Sequence, residues 1–410
     1  MNLTPPSFTA STAQSHILIV VENLPVPLDR RVWLEATSCV RAGYVVSIIS
    51  PMGLGWVEPY EILEGVHIYR HPVLAEARSG ILDYAREYSH AIWHWFRLAK
   101  IVWQRCPFDV IQGCNPPDLI FVLALRYRWQ GVRYMFDHHD VCPELLVAKF
   151  GKRSIVYWLM RLLERLSFAV ASVSIATNES FRKIAITRGR KSESDVFVVR
   201  SAPNIDHFIP AEGEHFYREK AKTVLGYVGV IGAQEGMEIL VSAASHLIGA
   251  HRQTDVHFVI IGFGSALDSM IRQVSDLKLT EYFTFTGALY QTDLIAALNA
   301  IDIGLACDPK NPMNDISTMN KVMEYMALGK PVVQFDLVEG RVSAGSASLY
   351  ATLNDPIDFA DKINLLVNDR DLRGTMGAEG RRRMLNELSW AYSEPHLLAA
   401  YARIFSKMKS

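Results

Sequence analysis

Short runs in which every position is apolar alternate along this chain with longer stretches in which apolar positions return every three or four residues. Ile17-Leu18-Ile19-Val20-Val21 is the first such run. A strand apolar on both faces is covered on both, as in the middle of a parallel sheet. A loop from Glu22 to Arg31 follows, a helical stretch runs on through Arg41 to Gly43, and residues 45–50 form the next strand. Strand, helix, strand is the repeating unit of a doubly wound α/β fold. The alternation continues through a helix at 84–106, whose aromatic stripe (Tyr88, Trp93, Trp95, Phe96, Trp103) has core spacing, and through strands at 110–113, 133–136 and 173–176. Between Ser201 and Lys222 it dissolves into proline-containing and charged sequence, which marks a domain boundary. It resumes in strands near 223–228, 257–261, 283–287, 302–306 and 331–333, and residues 388–405 are again helical.

The polar residues gather where strands hand over to helices. In residues 320–329, Val322, Met323, Met326 and Ala327 recur at helical spacing, with Lys321 and Glu324 one turn apart and Gly329 as the terminator. Asp315, Thr318 and Asn320 lie on the polar approach to that helix. A strand, a polar loop and a helix N-terminus is where open parallel sheets hold anionic ligands. Gly229, Gly232 and Gly236 permit a tight turn whose amides face a diphosphate, and Gly262-Phe263-Gly264 closes the following strand. The plain alternative for Glu324 is a solvated helix charge.

Residues 133–144 place Asp137, His138, His139 and Asp140 directly after a strand. A neutral imidazole there can orient a hydroxyl of a bound ligand, with Asp140 or Asp137 fixing its tautomer. Satisfaction by a backbone carbonyl is the bland reading, and a metal site lacks a third soft ligand at a typical spacing. Arg30 and Arg31, after the first strand, read as a contact to an anionic ligand or as a surface pair at the start of a helix. Residues 149–171 mix Lys152, Arg153, Arg161 and Arg165 with Ile155, Trp158, Leu159, Leu162 and Leu166. That pattern suits a helix lying on an anionic membrane, and more commonly a core helix with charged flanks. The glycines of 339–345, around Arg341, predict a mobile loop.

At 410 residues the chain has material for two buried cores, and 42 basic against 43 acidic residues argue against a nucleic-acid partner. Cys39, Cys106, Cys114, Cys142 and Cys307 have no paired metal spacing, which points to reduced thiols in the cytoplasm. Residues 1–15 read as a disordered tail rather than a signal peptide, and no apolar run is long enough to span a bilayer.

The run Glu324-Tyr325-Met326-Ala327-Leu328-Gly329-Lys330-Pro331-Val332-Val333 resembles the signature of the GT4 family of GT-B-fold retaining glycosyltransferases. The likeness extends over nearly the whole chain and is nearest to a bacterial branch that builds surface polysaccharide. It implies an α/β GT-B fold, two Rossmann-like doubly wound domains facing a central cleft: 16–203 as acceptor domain, 204–388 as nucleotide-sugar donor domain, and 389–410 as a helix crossing back to the first. The implied activity is hexosyltransferase-like transfer, with retention, from a nucleotide-diphosphate sugar, by frequency a UDP-sugar, to a glycan or polyprenyl-diphosphate-linked acceptor at the inner face of the membrane. No cofactor and no metal are expected. A sugar-nucleotide epimerase of the same fold and a non-catalytic sugar-nucleotide or glycan-binding protein are the rival classes.

Carried over residue by residue, the resemblance gives Glu324 the ribose, Lys321 the phosphates, and His139 with Asp140 the donor sugar. It gives Gly229, Gly232, Gly262, Gly264, Ala288, Leu289, Asp315, Thr318 and Asn320 the rest of the donor site. Arg30, Arg31, His138 and Arg341 are assigned to acceptor or phosphate. The chain departs from the family at three positions. Ile316 stands where the first Glu of a Glu-x7-Glu pair is usual, with Asp315 beside it, and Val230 and Glu235 stand where relatives carry Arg and Lys.

Overall fold

The structure, a computed structural model, describes residues 14–74, 81–211 and 215–409, so the expected N-terminal tail falls outside it apart from its last two positions. The chain divides into two compact units. The first holds the residues up to Leu146, Lys152–Arg200 and those from Ser393; the second holds Val147–Gly151 and Ser201–Tyr392.

The first unit is built on strands β1 (His16–Val21), β2 (Val45–Pro51), β3 (Tyr60–Leu63), β4 (Val66–His71), β5 (Val110–Cys114), β6 (Arg133–His138), β7 (Val173–Ala176) and β8 (Val196–Val198). Their order is β3-β4-β2-β1-β5-β6-β7-β8, parallel throughout except for β3 against β4. The fully apolar β1 lies between β2 and β5 and is buried along its whole length. The β3–β4 hairpin is not announced by the hydrophobic pattern. It turns through Glu64 and Gly65, both at positive φ, which matches the twist of paired strands.

The second unit carries β9 (Thr223–Val228), β10 (Val256–Ile261), β11 (Phe283–Gly287), β12 (Ile303–Ala306), β13 (Val332–Phe335) and β14 (Ser348–Ala351) in the all-parallel order β11-β10-β9-β12-β13-β14. Successive residues of one strand serve opposite layers. Leu225, Tyr227, Phe258 and Ile260 fill one core, while Val224, Val259 and Ile261 fill the other with Val322, Met323 and Met326. Strand order reverses between β1 and β5 in the first unit and between β9 and β12 in the second, and such reversal points are where doubly wound sheets open a crevice at their carboxyl edges. Both units are Rossmann-like α/β folds.

Three local expectations change. Residues 149–171 form not one helix but the end of Cys142–Phe150 and then Ile155–Val170, because Gly151 takes a left-handed conformation that stops the first. The expected mobile loop around Arg341 is instead a short helix, Val338–Ala344, with Gly340 buried inside it. In the aromatic stripe of the helix Ile81–Arg105, Trp95 is in the core but Trp93 is exposed, with Arg97 over its ring. The helix Trp390–Lys409 packs within the first unit from Ser393 onward: Tyr401 and Phe405 lie on Tyr44, and Arg403 and Lys407 pair with Asp195.

Candidate functional site

The predicted residues fall into two clusters, one at the carboxyl edge of each sheet. In the second unit the centre is the helix Asn320–Ala327. Tyr325 pins it: the hydroxyl accepts from the Val228 amide at 3.0 Å and donates to the Gly226 carbonyl at 3.1 Å. Glycine at position 304 leaves room for the ring, since a Cβ there would stand 2.3 Å from it. So fixed, the helix buries Glu324 (3% exposed) and Lys321 (8% exposed), and neither is a solvated charge.

Lys321 is surrounded. Its ammonium donates to Asp308 at 2.8 Å and to Glu235 and the Tyr227 hydroxyl at 3.3 Å each, and it lies 4.6 Å from the centre of the Tyr227 ring. Burial opposes its charge, but Asp308 and Glu235 hold its pKa well above the usual value. Glu235 is pushed up to about 7 by burial despite the attraction of Lys321. Asp308, the second residue after β12, was not legible as a partner, because it meets Lys321 only through the folding back of the loop between them.

The glycine turns are required by close approach. A Cβ on Gly262 would stand 1.9 Å from the Gly229 carbonyl oxygen, and one on Gly264 would stand 2.4 Å from that of Ile231. With φ at +150°, +143° and +156° for Gly229, Gly262 and Gly264, the loops after β9 and β10 touch backbone to backbone. Gly232, at φ −112°, needs no such freedom and leads into the turn Ala233–Glu235. Ala288 and Leu289 are half-buried after β11. Asp315 is held by Lys310 at 3.2 Å and by the Val338 amide at 3.1 Å, tying the loop to the helix Val338–Ala344. Ile316 and Thr318 are half-buried, and Asn320 is exposed at the helix start. Arg341 pairs with Asp336 and lies over Tyr350.

The raised Glu235 gives a stability prediction with a definite sign. A carboxyl whose folded pKa exceeds its unfolded value stabilises the fold below the unfolded value, and that contribution is lost as pH rises through the folded one. Between about pH 4.5 and pH 7 the wild type therefore loses on the order of 2–3 kcal/mol relative to Glu235→Gln. Denaturant midpoints of the two proteins measured across that range check this, and a constant difference between them contradicts it.

In the first unit, Asp29 caps the helix Arg30–Arg41 by accepting from the Val32 amide, leaving Arg30 exposed and Arg31 buried. Arg31 donates to the Val199 carbonyl and pairs with Asp137 at 2.9 Å and Glu35 at 3.1 Å. Asp137 also faces His139 Nε2 at 2.7 Å and accepts from Gln112 at 2.9 Å, while Gln112 donates to Glu35 at 2.6 Å and accepts from the Tyr401 hydroxyl. The carboxylate that orients the imidazole is thus Asp137. Asp140 is half-buried, and its carbonyl accepts from Asn115, whose Oδ1 takes the amides of His139 and Asp140.

Burial disfavours ionising both acids of this cluster, and the cations decide between them. Arg31 and His139 hold Asp137 well below the carboxylate range. Burial and the Asp137 charge push Glu35 up to about 8. For His139 too burial is outweighed, and Asp137 raises its pKa.

The structure separates the two adjacent imidazoles. His138 is fully buried against Phe168 and Phe181, 3.4 Å from Glu164. His138 is the last residue of β6 and His139 the first beyond it.

Glu35, Gln112 and Tyr401 went unread as members of this cluster. So did Glu22 after β1, which accepts from Trp95 at 2.8 Å and pairs with His71 at 3.0 Å. Glu35, Cys114, Asp137 and His139 bring four metal-ligating groups within 4.8 Å through space, which sequence spacing could not show. With the Arg31 guanidinium bound to both carboxylates, a second cation does not fit there.

Residues 28–200 match the family profile described as a glycosyl transferase 4-like domain, and residues 222–369 match that of glycosyl transferases group 1. A 2-deoxystreptamine glucosyltransferase of Streptomyces kanamyceticus is 25% identical over 74% of this chain and 80% of its own length. The N,N'-diacetylbacillosaminyl-diphospho-undecaprenol alpha-1,3-N-acetylgalactosaminyltransferase of Campylobacter jejuni is 23% identical over 77% of this chain and 81% of its own. Four other relatives are matched over 40–62% of their lengths. Among solved structures, the sucrose-phosphate synthase of Thermosynechococcus elongatus superposes with TM-score 0.76 at 15% identity, covering 96% of this chain and all of that one. The Anabaena protein HepE in complex with UDP-glucose gives 0.71 at 14%, covering 94% and 99%.

Proposed function

The chain belongs to the family of group 1, GT4-like glycosyltransferases, and from that premise we propose that it moves a sugar from a UDP-sugar to a glycan or polyprenyl-diphosphate-linked acceptor in polysaccharide assembly, with retention of anomeric configuration. The observation that carries this reading is the pinned helix Asn320–Ala327, which buries a carboxylate and an ammonium beside glycine turns at the reversal point of the six-stranded sheet. A nucleotide with the ribose hydroxyls on Glu324 lays its diphosphate along the Gly229 and Gly262 turns, near the helix start, where no side-chain cap occupies the amides. Support for UDP comes from the HepE complex, and support for a lipid-linked acceptor from the Campylobacter relative. Such an acceptor places the work at the inner face of the membrane.

In the proposed reaction the bond from the anomeric carbon to the β-phosphate oxygen breaks. The acceptor oxygen bonds to the same face of that carbon, and its proton passes to the departing phosphate. The charge developing on the phosphate is met by amides and by Lys321. His139, held by Asp137, orients a hydroxyl of the donor sugar or acceptor.

Lys321→Met tests the phosphate role. UDP affinity falls at least about tenfold, as expected for losing a charge-assisted bond, while uridine affinity stays within about threefold; equal losses by calorimetry refute it. A panel of nucleotide sugars read by thermal stabilisation identifies the donor. Because Val230 and Glu235 bring no cation to this turn, a donor-binding protein without turnover is the second reading. Stabilisation by a donor with no transfer to any lipid-linked acceptor favours it.

A further inference from the structure

The helix Ile155–Val170 belongs to the first unit and buries Tyr157, Glu164, Ser167 and Phe168. Its opposite face is apolar yet open to solvent. Ile155 is 88% and Trp158 59% exposed, and Leu159, Leu162 and Leu166 are exposed with them. Positions 155, 158, 159, 162 and 166 follow the three- and four-residue spacing of one helical stripe, so these five large side chains form a single ridge. Contiguous apolar surface of this kind marks a place of contact.

The charges around the ridge have one sign. Lys152, Arg153 and Arg165 are exposed and Arg161 is half-exposed. The helix has one acid, Glu164, and that is buried and spent on Arg188. The helix Phe121–Tyr127 packs beside it and repeats the composition. It and the turn that follows expose Leu125, Arg126, Arg128 and Trp129, the last at 96%, again without an acidic residue.

We propose that the helix Ile155–Val170 docks this protein on an anionic lipid bilayer, its apolar ridge in the headgroup boundary and its arginines and lysines on lipid phosphates. Tryptophan beside basic residues on a helix with no exposed acid is the composition of an interfacial helix. A second copy of the chain fits poorly, because a twofold contact through this face sets its cations against the same cations of the partner. The inference does not depend on the donor or on turnover, so it can fail while the transferase reading stands, and the reverse.

The full chain is mixed with vesicles of phosphatidylcholine alone or with about 30% phosphatidylglycerol, and bound protein is read by co-sedimentation at two salt concentrations. The expected result is binding to the anionic vesicles that drops at least about fivefold at high salt. Trp158→Ser with Leu162→Ser should lose at least about tenfold in that binding at unchanged melting temperature. Arg153→Gln with Arg165→Gln should lose it at low salt. Equal binding to neutral vesicles, or retention in the Trp158/Leu162 double variant, overturns the proposal. So does a dimer in sedimentation velocity that this variant dissolves while the parent ignores vesicles.

Discussion

Replacing Glu324 by Ala lowers the affinity for UDP by about a hundredfold, and the affinity for uridine by nearly the same factor. The expectation follows from where the carboxylate lies: at 3% exposure, one turn from Lys321, on a helix that Tyr325 fastens to β9. Hydrogen bonds to a charged group contribute about 1.5–3 kcal/mol each, so losing the proposed bidentate grip on two ribose hydroxyls accounts for about 3 kcal/mol. The comparison with Lys321→Met carries the diagnosis. A ribose contact is lost to nucleoside and nucleotide alike, whereas a phosphate contact is lost to the nucleotide alone. Calorimetry with uridine and UDP on both variants separates them. If Glu324→Ala binds both ligands like wild type, this helix is not the nucleotide site.

The second large effect is on stability. Asp137→Ala removes the anion that matches Arg31 and His139, and leaving a buried charge without its partner costs about 3–5 kcal/mol. Glu35, 3.1 Å from the same guanidinium, behaves differently. Burial and the neighbouring Asp137 push its pKa up to about 8, so near neutrality it is mostly a neutral acid. Glu35→Gln, a neutral group of the same shape, therefore costs under about 1 kcal/mol at pH 7 by the net worth of a neutral hydrogen bond. Between about pH 4.5 and pH 8, where the unfolded chain ionises Glu35 while the folded one keeps it protonated, the glutamine variant gains on wild type, and the gap levels off above that range. Urea midpoints at pH 5, 7 and 8 measure both comparisons. Equal losses for the two substitutions at pH 7 would show that the charge sits elsewhere.

What the sequence disclosed follows from whether the controlling force is local. Ile17–Val21 could be read as a central strand because burial on both faces is written in five successive side chains. The helix carrying Lys321 and Glu324 was legible for a similar reason: apolar spacing and a terminating glycine specify it. Partners were not legible. Asp308 reaches Lys321 only once the loop between them folds back, and Glu35 looks like any exposed helical acid until the sheet brings Gln112 and Asp137 against it.

The two histidines show the limit most directly. Read as a string, His138 and His139 are one motif. His138 closes β6 and packs among phenylalanines, while His139, the first residue past the strand, faces Asp137. Arg30 and Arg31 divide likewise, the first exposed at the helix start and the second beneath it.

The hydrogen bond from Tyr401 to Gln112 has a consequence for the order of synthesis. Gln112 is in place early on the ribosome, but the helix Trp390–Lys409 that completes its shell emerges only after residues 201–392 have been made. At about 5–20 residues per second that interval is roughly 10–40 s. The half of the molecule translated first is therefore the half finished last, and its polar centre, around Glu35 and Asp137, waits without its lid while the other half is already free to fold.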